Sequence, residues 1–301
     1  MTITIPLAVK ARESARETAC ANNLVALIRG VQNYQLTFGF YPSNGWGYRW
    51  VGEPGQGPGK DQPGSWAYST LPYVERLRQS SLDRLDGSQS WISGVEDLLT
   101  MPNSLLRCPS RGAGALVNNN PNRVPFNARW LTTVYRTDYV ANEGDRHLKT
   151  GPGPSRLSDV DTHAWPNNGI ATGVMFLRSE ITPQQIHDGV SNTYFLGEKY
   201  VFFRDYLTFN SAGYDQSGYV GADLDTNRCT SHPPTWDMIE LSNAPNKGAQ
   251  YFGSAHPKFS WFAFGDGSVR PISYNVDPEE YRSAGHRRDG NKMFADATQW
   301  R

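Results

Sequence analysis

From Leu7 to Tyr41 the chain contains no proline, and that stretch carries a helical pattern. Pro6 suits a first helical turn, where its missing N–H would have had no partner. Leu24, Leu27, Ile28, Val31 and Tyr34 recur at steps of three and four, which makes one apolar stripe. Arg12, Glu13, Arg16 and Glu17 lie upstream, so that half of the helix has no need of burial. The spacing predicts a helix from Leu7 to about Gln35, ended by Gly39 and the Tyr41-Pro42-Ser43 run. Gly30 inside it costs about 1 kcal/mol against alanine, which points to close packing there. A helix docked along half its length makes sense as the lower part of a longer one. Met1 to Ile5 read as the tail of such an apolar segment. The start lacks signal-peptide architecture, and no stretch approaches the ~18 apolar residues of a spanning helix.

The remainder reads differently. With 29 Gly, 20 Pro, 12% aromatic and only 19% charged residues, the chain is expected to be loop-rich, with short strands and much aromatic packing. Its 301 residues can bury a core without disulfides. Residues 43–66 are a Gly/Pro-rich surface loop, and 149–169 and 210–234 read as polar insertions on the surface. Leu71 to about Arg84 is expected to be a second helix, with Leu71, Val74, Leu77 and Leu82 inward. Thr133–Val140, Thr172–Leu177 and Thr193–Phe203 are expected strands. Ser260–Phe264 and Ser268–Tyr274 flank Gly265-Asp266-Gly267 and read as a hairpin. A helix followed by mostly antiparallel strands gives an α+β class: residues 1–40 a truncated N-terminal helix, 41–301 one head domain.

Acidic and basic side chains balance at 29 each, so no electrostatic case exists for binding nucleic acid. The Arg282, His286, Arg287, Arg288 cluster reads as a solvated surface. The Gly55 to Lys60 run is no phosphate loop, because Asp61 stands where Ser or Thr is required. Six scattered histidines form no HExxH motif, GxSxG is absent, and Cys20, Cys108 and Cys229 make no CxxC pair. No catalytic residue follows, and the expectation is a protein that is not an enzyme. Asp188, Asn192 and Asp266, on Asp-Gly turns, are candidate oxygen donors for Ca²⁺, the alternative being side chains that only fix the turns. Trp46, Trp50 and Trp66, in Gly-rich surroundings, form the expected exposed aromatic set for stacking on a sugar.

Several motifs carry a resemblance. Pro6 to Arg16 with Cys20-Ala21-Asn22-Asn23-Leu24, Phe40-Tyr41-Pro42-Ser43, Leu71-Pro72-Tyr73-Val74-Glu75 and Cys108-Pro109-Ser110 occur in that order. Tyr139 to Gly144, Ile186 to Thr193 with Gly197-Glu198-Lys199, and His256 followed after nine residues by Asp266-Gly267 complete the series. Together they resemble a planctomycete family of prepilin-like proteins of unknown function, with the prepilin-type H-x9-DG signature at His256, Asp266 and Gly267. The resemblance implies a long helix on an antiparallel sheet, an extracytoplasmic location, and a structural role in a filament or secretion assembly. It also implies self-association through the helix and contact with other pilus or secretion subunits. The family's basic leader and membrane-inserting half-helix are not seen in the sequence, so a truncation is expected. Cys20 and Cys108 fall at motif positions and suggest a bridge clamping helix to head, with Cys229 as the alternative partner. A second expectation, from another class, is a glycan- or solute-binding module for which the helix is only an anchor.

Overall fold

The computed structural model describes residues 4–74, 91–112 and 116–290. Helix α1 spans Thr4–Phe38. It stops where Gly39 takes a φ of 84° and donates its N–H to the Gln35 carbonyl at 2.7 Å, a left-handed cap that only glycine adopts cheaply. The apolar stripe faces inward as its spacing requires: Leu24, Leu27, Ile28, Val31 and Tyr34 are each at most 2% exposed. Burial of each aliphatic member contributes about 1.5–3 kcal/mol. A Cβ on Gly30 would stand 2.6 Å from Val74 Cγ2, which explains the glycine. From Val9 to Ala19 the side chains are exposed or half-buried.

The strands are β1 Val117–Asn118, β2 Thr133–Val134, β3 Tyr139–Gly144, β4 Tyr194–Glu198, β5 Asn227–Cys229, β6 Thr235–Trp236, β7 Gly253–Ser254, β8 Phe259–Phe264 and β9 Val269–Ser273. Five of them form the main sheet, in the order β5-β3-β4-β8-β9. The β3–β4, β4–β8 and β8–β9 pairs are antiparallel and β3–β5 is parallel. Pairs β1–β2 and β6–β7 stand apart as small ribbons. Alternation along the strands divides the core into two layers. Ala141, Leu196 and Ala263 pack with the α1 stripe, whereas Val140, Phe262, Phe264 and Ile272 pack with Tyr281 and Ala284 of the short helix Pro278–Gly285. The fold is therefore α+β, with helices on both faces of a mostly antiparallel sheet. Among the described residues no helix is long and apolar enough to cross a membrane.

The hairpin stands where expected, with Gly267 at a φ of 88°. Other expectations change. Thr133–Val140 splits between β2 and β3, and the strand from Thr193 ends at Glu198. Thr172–Leu177 is buried without being a strand, because Val174 donates its N–H to the Asn142 carbonyl beside a wedged Gly173. Trp66–Thr70 is a short helix followed by a 3-10 turn at Leu71–Tyr73, and most of the helix expected to reach Arg84 lies outside the described residues. Helix Trp91–Thr100 was not anticipated. Helix Pro278–Gly285 had a legible start, since Asp277 Oδ1 accepts the N–H groups of Glu279 and Glu280 and Pro278 follows it.

Three expectations of exposure are overturned. Residues 213–230 are buried and lead into β5, because their polar groups pair inside the protein. Arg287 is buried too, its guanidinium donating to the Ala171 and Gly173 carbonyls at 2.8 Å each, so the basic cluster is only partly solvated. Trp46, Trp50 and Trp66 are all at most 2% exposed. Their indole N–H groups donate to the carbonyls of Lys60, Pro154 and Thr226, so glycine-rich loops fold over these three rings, which offer no exposed face for a sugar.

The contact at Gly30 generates a direct test. Gly30→Val is expected to destabilise the chain by about 1–3 kcal/mol in chemical denaturation, because the branched side chain overpacks against Val74. Arg12→Ala, on the exposed half of α1, is expected to change stability by less than about 0.5 kcal/mol. Equal midpoints for the two variants would remove close packing as the reason for the glycine.

Candidate functional site

The polar features of the chain converge where the two halves of α1 meet the head. After Cys108, Pro109 starts a 3-10 turn at Pro109–Arg111, and successive side chains leave it in different directions. Cys108 Sγ lies 2.7 Å from Cys20 Sγ on α1. Ser110 Oγ donates to Glu13 Oε1 at 2.8 Å. Arg111 donates from Nε to Asp237 at 2.8 Å and from Nη1 to Asp138 at 3.2 Å. Asp138 also accepts the Cys108 N–H at 2.7 Å and the Tyr214 hydroxyl at 2.6 Å. Burial opposes its charge, but Arg107 and Arg111 outweigh burial and hold its pKa below the usual carboxylate range. This buried network fixes the turn to the sheet, and removing one partner would leave an uncompensated charge.

His256 stands between β7 and β8 and is fully buried. Its Nδ1 is 3.0 Å from Glu13 Oε1 and its Nε2 is 3.3 Å from Glu198 Oε1, at the end of β4. The other Glu198 oxygen accepts the Trp261 N–H at 2.8 Å. His256 Nε2 is also 3.7 Å from Cys108 Sγ. Burial alone would favour a neutral imidazole, yet the contacts with Cys108 and Glu198 push its pKa up to about 11. Glu13 is lowered: burial opposes its charge, and hydrogen bonds from His256 and Ser110 prevail. Asn23, one turn beyond Cys20, donates to the Arg107 carbonyl at 3.0 Å and the Tyr139 hydroxyl at 3.2 Å.

The Asp266-Gly267 turn contacts the same helix farther along. Gln32 Nε2 donates to the Gly265 carbonyl at 3.0 Å, and a Cβ on Gly267 would come within 3.2 Å of that amide. The H-x9-DG spacing can be read as a ruler. From Glu13 to Gln32 a helix rises about 28 Å, and from His256 to Asp266 an extended chain spans about 33 Å. The two flanks of β8 thus contact α1 at Glu13, ahead of its docked half, and at Gln32 within it.

The donor set at the junction is Cys20, Cys108, Glu198 and His256, all buried, with one ligand atom of each within 4.8 Å of the others. Two thiols, an imidazole and a carboxylate are a combination that Zn²⁺ takes in tetrahedral sites, and the two sulfurs are equally placed to join as a disulfide. Burial drives the Cys108 thiol well above its ordinary pKa. For Cys20 the contact with Cys108 pulls downward, but burial and the charge of Glu198 raise it overall. Reactive thiols need the opposite shift and partial exposure, so the arrangement suits a structural clamp better than a nucleophile.

Of the residues singled out in the sequence, the structure brings together Cys20, Cys108 and His256. Cys229 stands elsewhere, 3.1 Å from Ser231 Oγ. Asp266 closes its own turn, accepting from Ser268 N–H at 2.8 Å and Oγ at 2.7 Å. Asp188 accepts the N–H groups of Asp289 and Gly290, gathers with His286 and Asp289, and its carbonyl accepts from the Asn192 amide. The candidate Ca²⁺ donors Asp188, Asn192 and Asp266 thus each take part in hydrogen bonds that fix their own turns. Sequence reasoning missed Glu13, Glu198, Arg111 and Asp138 as functional groups. Glu13, Glu198 and Arg111 lie in or beside motifs already singled out, but their partners are far away along the chain.

A family model described as a protein of unknown function (DUF1559) matches residues 9–279. The chain belongs to this family. The matched span contains the whole junction, from Glu13 to His256. No curated protein and no solved structure matches the chain.

The junction makes stability depend on pH. Because His256 is raised from 6.5 to about 11 on folding, its stabilisation is complete below about pH 6.5 and is lost as pH rises through 11. Unfolding free energy is expected to decline across that window more steeply in the native chain than in His256→Gln, measured by urea titration at a series of pH values. Parallel curves would mean that the imidazole is uncharged in the fold.

Proposed function

We propose that this chain is the head of a non-enzymatic, pilin-like structural subunit that works outside the cytoplasm, in a filament or a secretion assembly. The observation that carries the reading is the division of α1. Its second half is buried against the sheet from Cys20 onward, while its first half projects polar, largely exposed side chains. Packing such half-free helices against one another is the means of assembly in this reading, with further pilus or secretion subunits as partners. The buried, unreactive chemistry of the junction supports a part that bears load over one that turns over substrate. The H-x9-DG ruler has a clear role in such a part, holding helix and head in one orientation.

A second reading, a glycan- or solute-binding module, is favoured by one feature. A cleft of about 370 Å³ at the end of α1 is lined by Tyr34, Phe38, Pro54, Pro58, Tyr68 and Tyr73. Tyr34 and Tyr68 are buried, so Phe38 and Tyr73 would supply the faces that stack on a sugar ring. Calorimetric titration with oligosaccharides separates the two readings, because a scaffold shows no saturable ligand.

Assembly is tested by cysteine substitutions at Arg12 and Arg16 on the exposed half of α1, with oxidative cross-linking in the cells that make the protein. Ladders of covalent multimers are expected from these positions, and none from a cysteine at exposed Met238. Monomers throughout would overturn the filament reading. The extracytoplasmic reading has its own test. Chain purified with thiols blocked at lysis is expected to show Cys20 joined to Cys108 and Cys229 free, by peptide mass mapping. Closing so long a loop stabilises by about 4–5 kcal/mol in the chain-entropy picture, so reduction is expected to lower the melting temperature markedly.

A further inference from the structure

Away from the junction, the segment leading into β5 folds three carboxylates into the protein. Asp215, Asp223 and Asp225 are 3%, 7% and 0% exposed, and one oxygen of each lies within 4.8 Å of the others. Part of each group is used. Asp215 Oδ2 accepts the Asn120 amide at 2.6 Å. Asp225 Oδ1 accepts the backbone N–H groups of Asp215 and Gln216 at 3.1 and 3.2 Å. Asp223 Oδ2 accepts the Gln216 amide at 2.9 Å. The remaining oxygens of two of them, Asp215 Oδ1 and Asp225 Oδ2, are buried and accept no hydrogen bond.

Buried acceptors normally find donors, and two unused carboxylate oxygens in one cluster are costly. The cations nearby do not serve them. Arg123 Nε is 3.9 Å from Asp215 Oδ2, beyond hydrogen-bond reach. Lys199 Nζ donates to the Asp225 carbonyl at 2.8 Å, and Arg228 donates to the carbonyls of Leu224, Asn227, Gly213 and Tyr251. Three neighbouring carboxylates with two buried oxygens unused call for a further partner, and a metal ion is one that neutralises them. Burial, with the charge of Asp225 added, raises Asp215 and Asp223 above the usual carboxylate range.

We infer that Asp215, Asp223 and Asp225 form a binding site for a hard divalent cation, Ca²⁺ in preference to Mg²⁺. Oxygens bound to one Ca²⁺ at about 2.3–2.6 Å stand at most about 5 Å apart, which the cluster already meets. Only oxygen donors are offered, which disfavours Zn²⁺ and copper. Ca²⁺ accepts irregular geometry and carboxylates that bind through one or two oxygens, whereas Mg²⁺ demands a regular octahedron at about 2.1 Å. The ion draws on the two unused oxygens and holds the 213–225 segment in its buried course. This site is distinct from the Asp188, Asn192 and Asp266 turns.

The test is calorimetric titration of the full chain, first freed of metal with EDTA, alongside thermal unfolding in about 1 mM Ca²⁺ and in EDTA. One saturable Ca²⁺ per chain is expected, with a melting temperature raised by Ca²⁺ and Mg²⁺ binding at least about tenfold weaker. Asp225→Asn and Asp223→Asn are expected to weaken Ca²⁺ at least tenfold. In EDTA both variants are expected to melt no lower than the native chain, because a neutral amide relieves the repulsion. That readout separates loss of a ligand from loss of the fold. Asp188→Asn is expected to bind as the native chain does. Absence of saturable binding by the folded chain up to about 10 mM Ca²⁺ overturns the proposal. So does binding that survives both cluster variants, or that is lost in Asp188→Asn.

Discussion

Half of α1 is buried and half stands clear, and the sheet, the CPS turn and the hairpin are all placed to maintain that division. The stripe from Leu24 to Tyr34 supplies the apolar contact, but a stripe alone permits sliding and rotation. Polar attachments along the helix restrict that freedom. Glu13 reaches His256 at one end and Gln32 reaches the Gly265 carbonyl at the other. Both of these points flank β8, and Asn23 adds hydrogen bonds to the Arg107 carbonyl and the Tyr139 hydroxyl between them.

The junction is expensive in its parts. A fully buried histidine, a buried glutamate and the Arg111, Asp138 and Asp237 network lie within one region, and burial opposes each charge. What offsets this is mutual pairing, which exists only in the folded arrangement. Such a network adds little net stability over an apolar core, but it penalises every misplaced register of the helix. That specificity of helix against sheet is what the geometry supplies.

A similar argument accounts for the polarity of the interior elsewhere. The 213–230 segment has few large apolar side chains, yet it is buried, with its aspartates, Asn227 and Arg228 turned inward. Such an interior depends on every group finding a partner. Where the Asp215, Asp223 and Asp225 cluster leaves oxygens unused, the shortfall marks a place for a ligand rather than for packing.

Features that depend on local periodicity were legible in the sequence: the α1 stripe, its stop at Gly39, the Ser260–Tyr274 hairpin and the α+β class. Those signals reside within a few residues of one another, and the geometry of a helix or a strand determines their consequence directly. The co-location of Cys20, Cys108 and His256 was only partly legible, through motif positions and not through chemistry. Which polar residues lie inside was decided by tertiary structure. Gly-rich loops looked exposed around Trp46, Trp50 and Trp66, and the 210–234 stretch looked like an insertion, because composition reports the cost of burial and not the partner that offsets it. Glu13 finds His256 across more than two hundred residues of chain, and Arg111 finds Asp237 across more than one hundred. No pattern of local spacing contains such pairs, and only the closed fold brings their charges within reach.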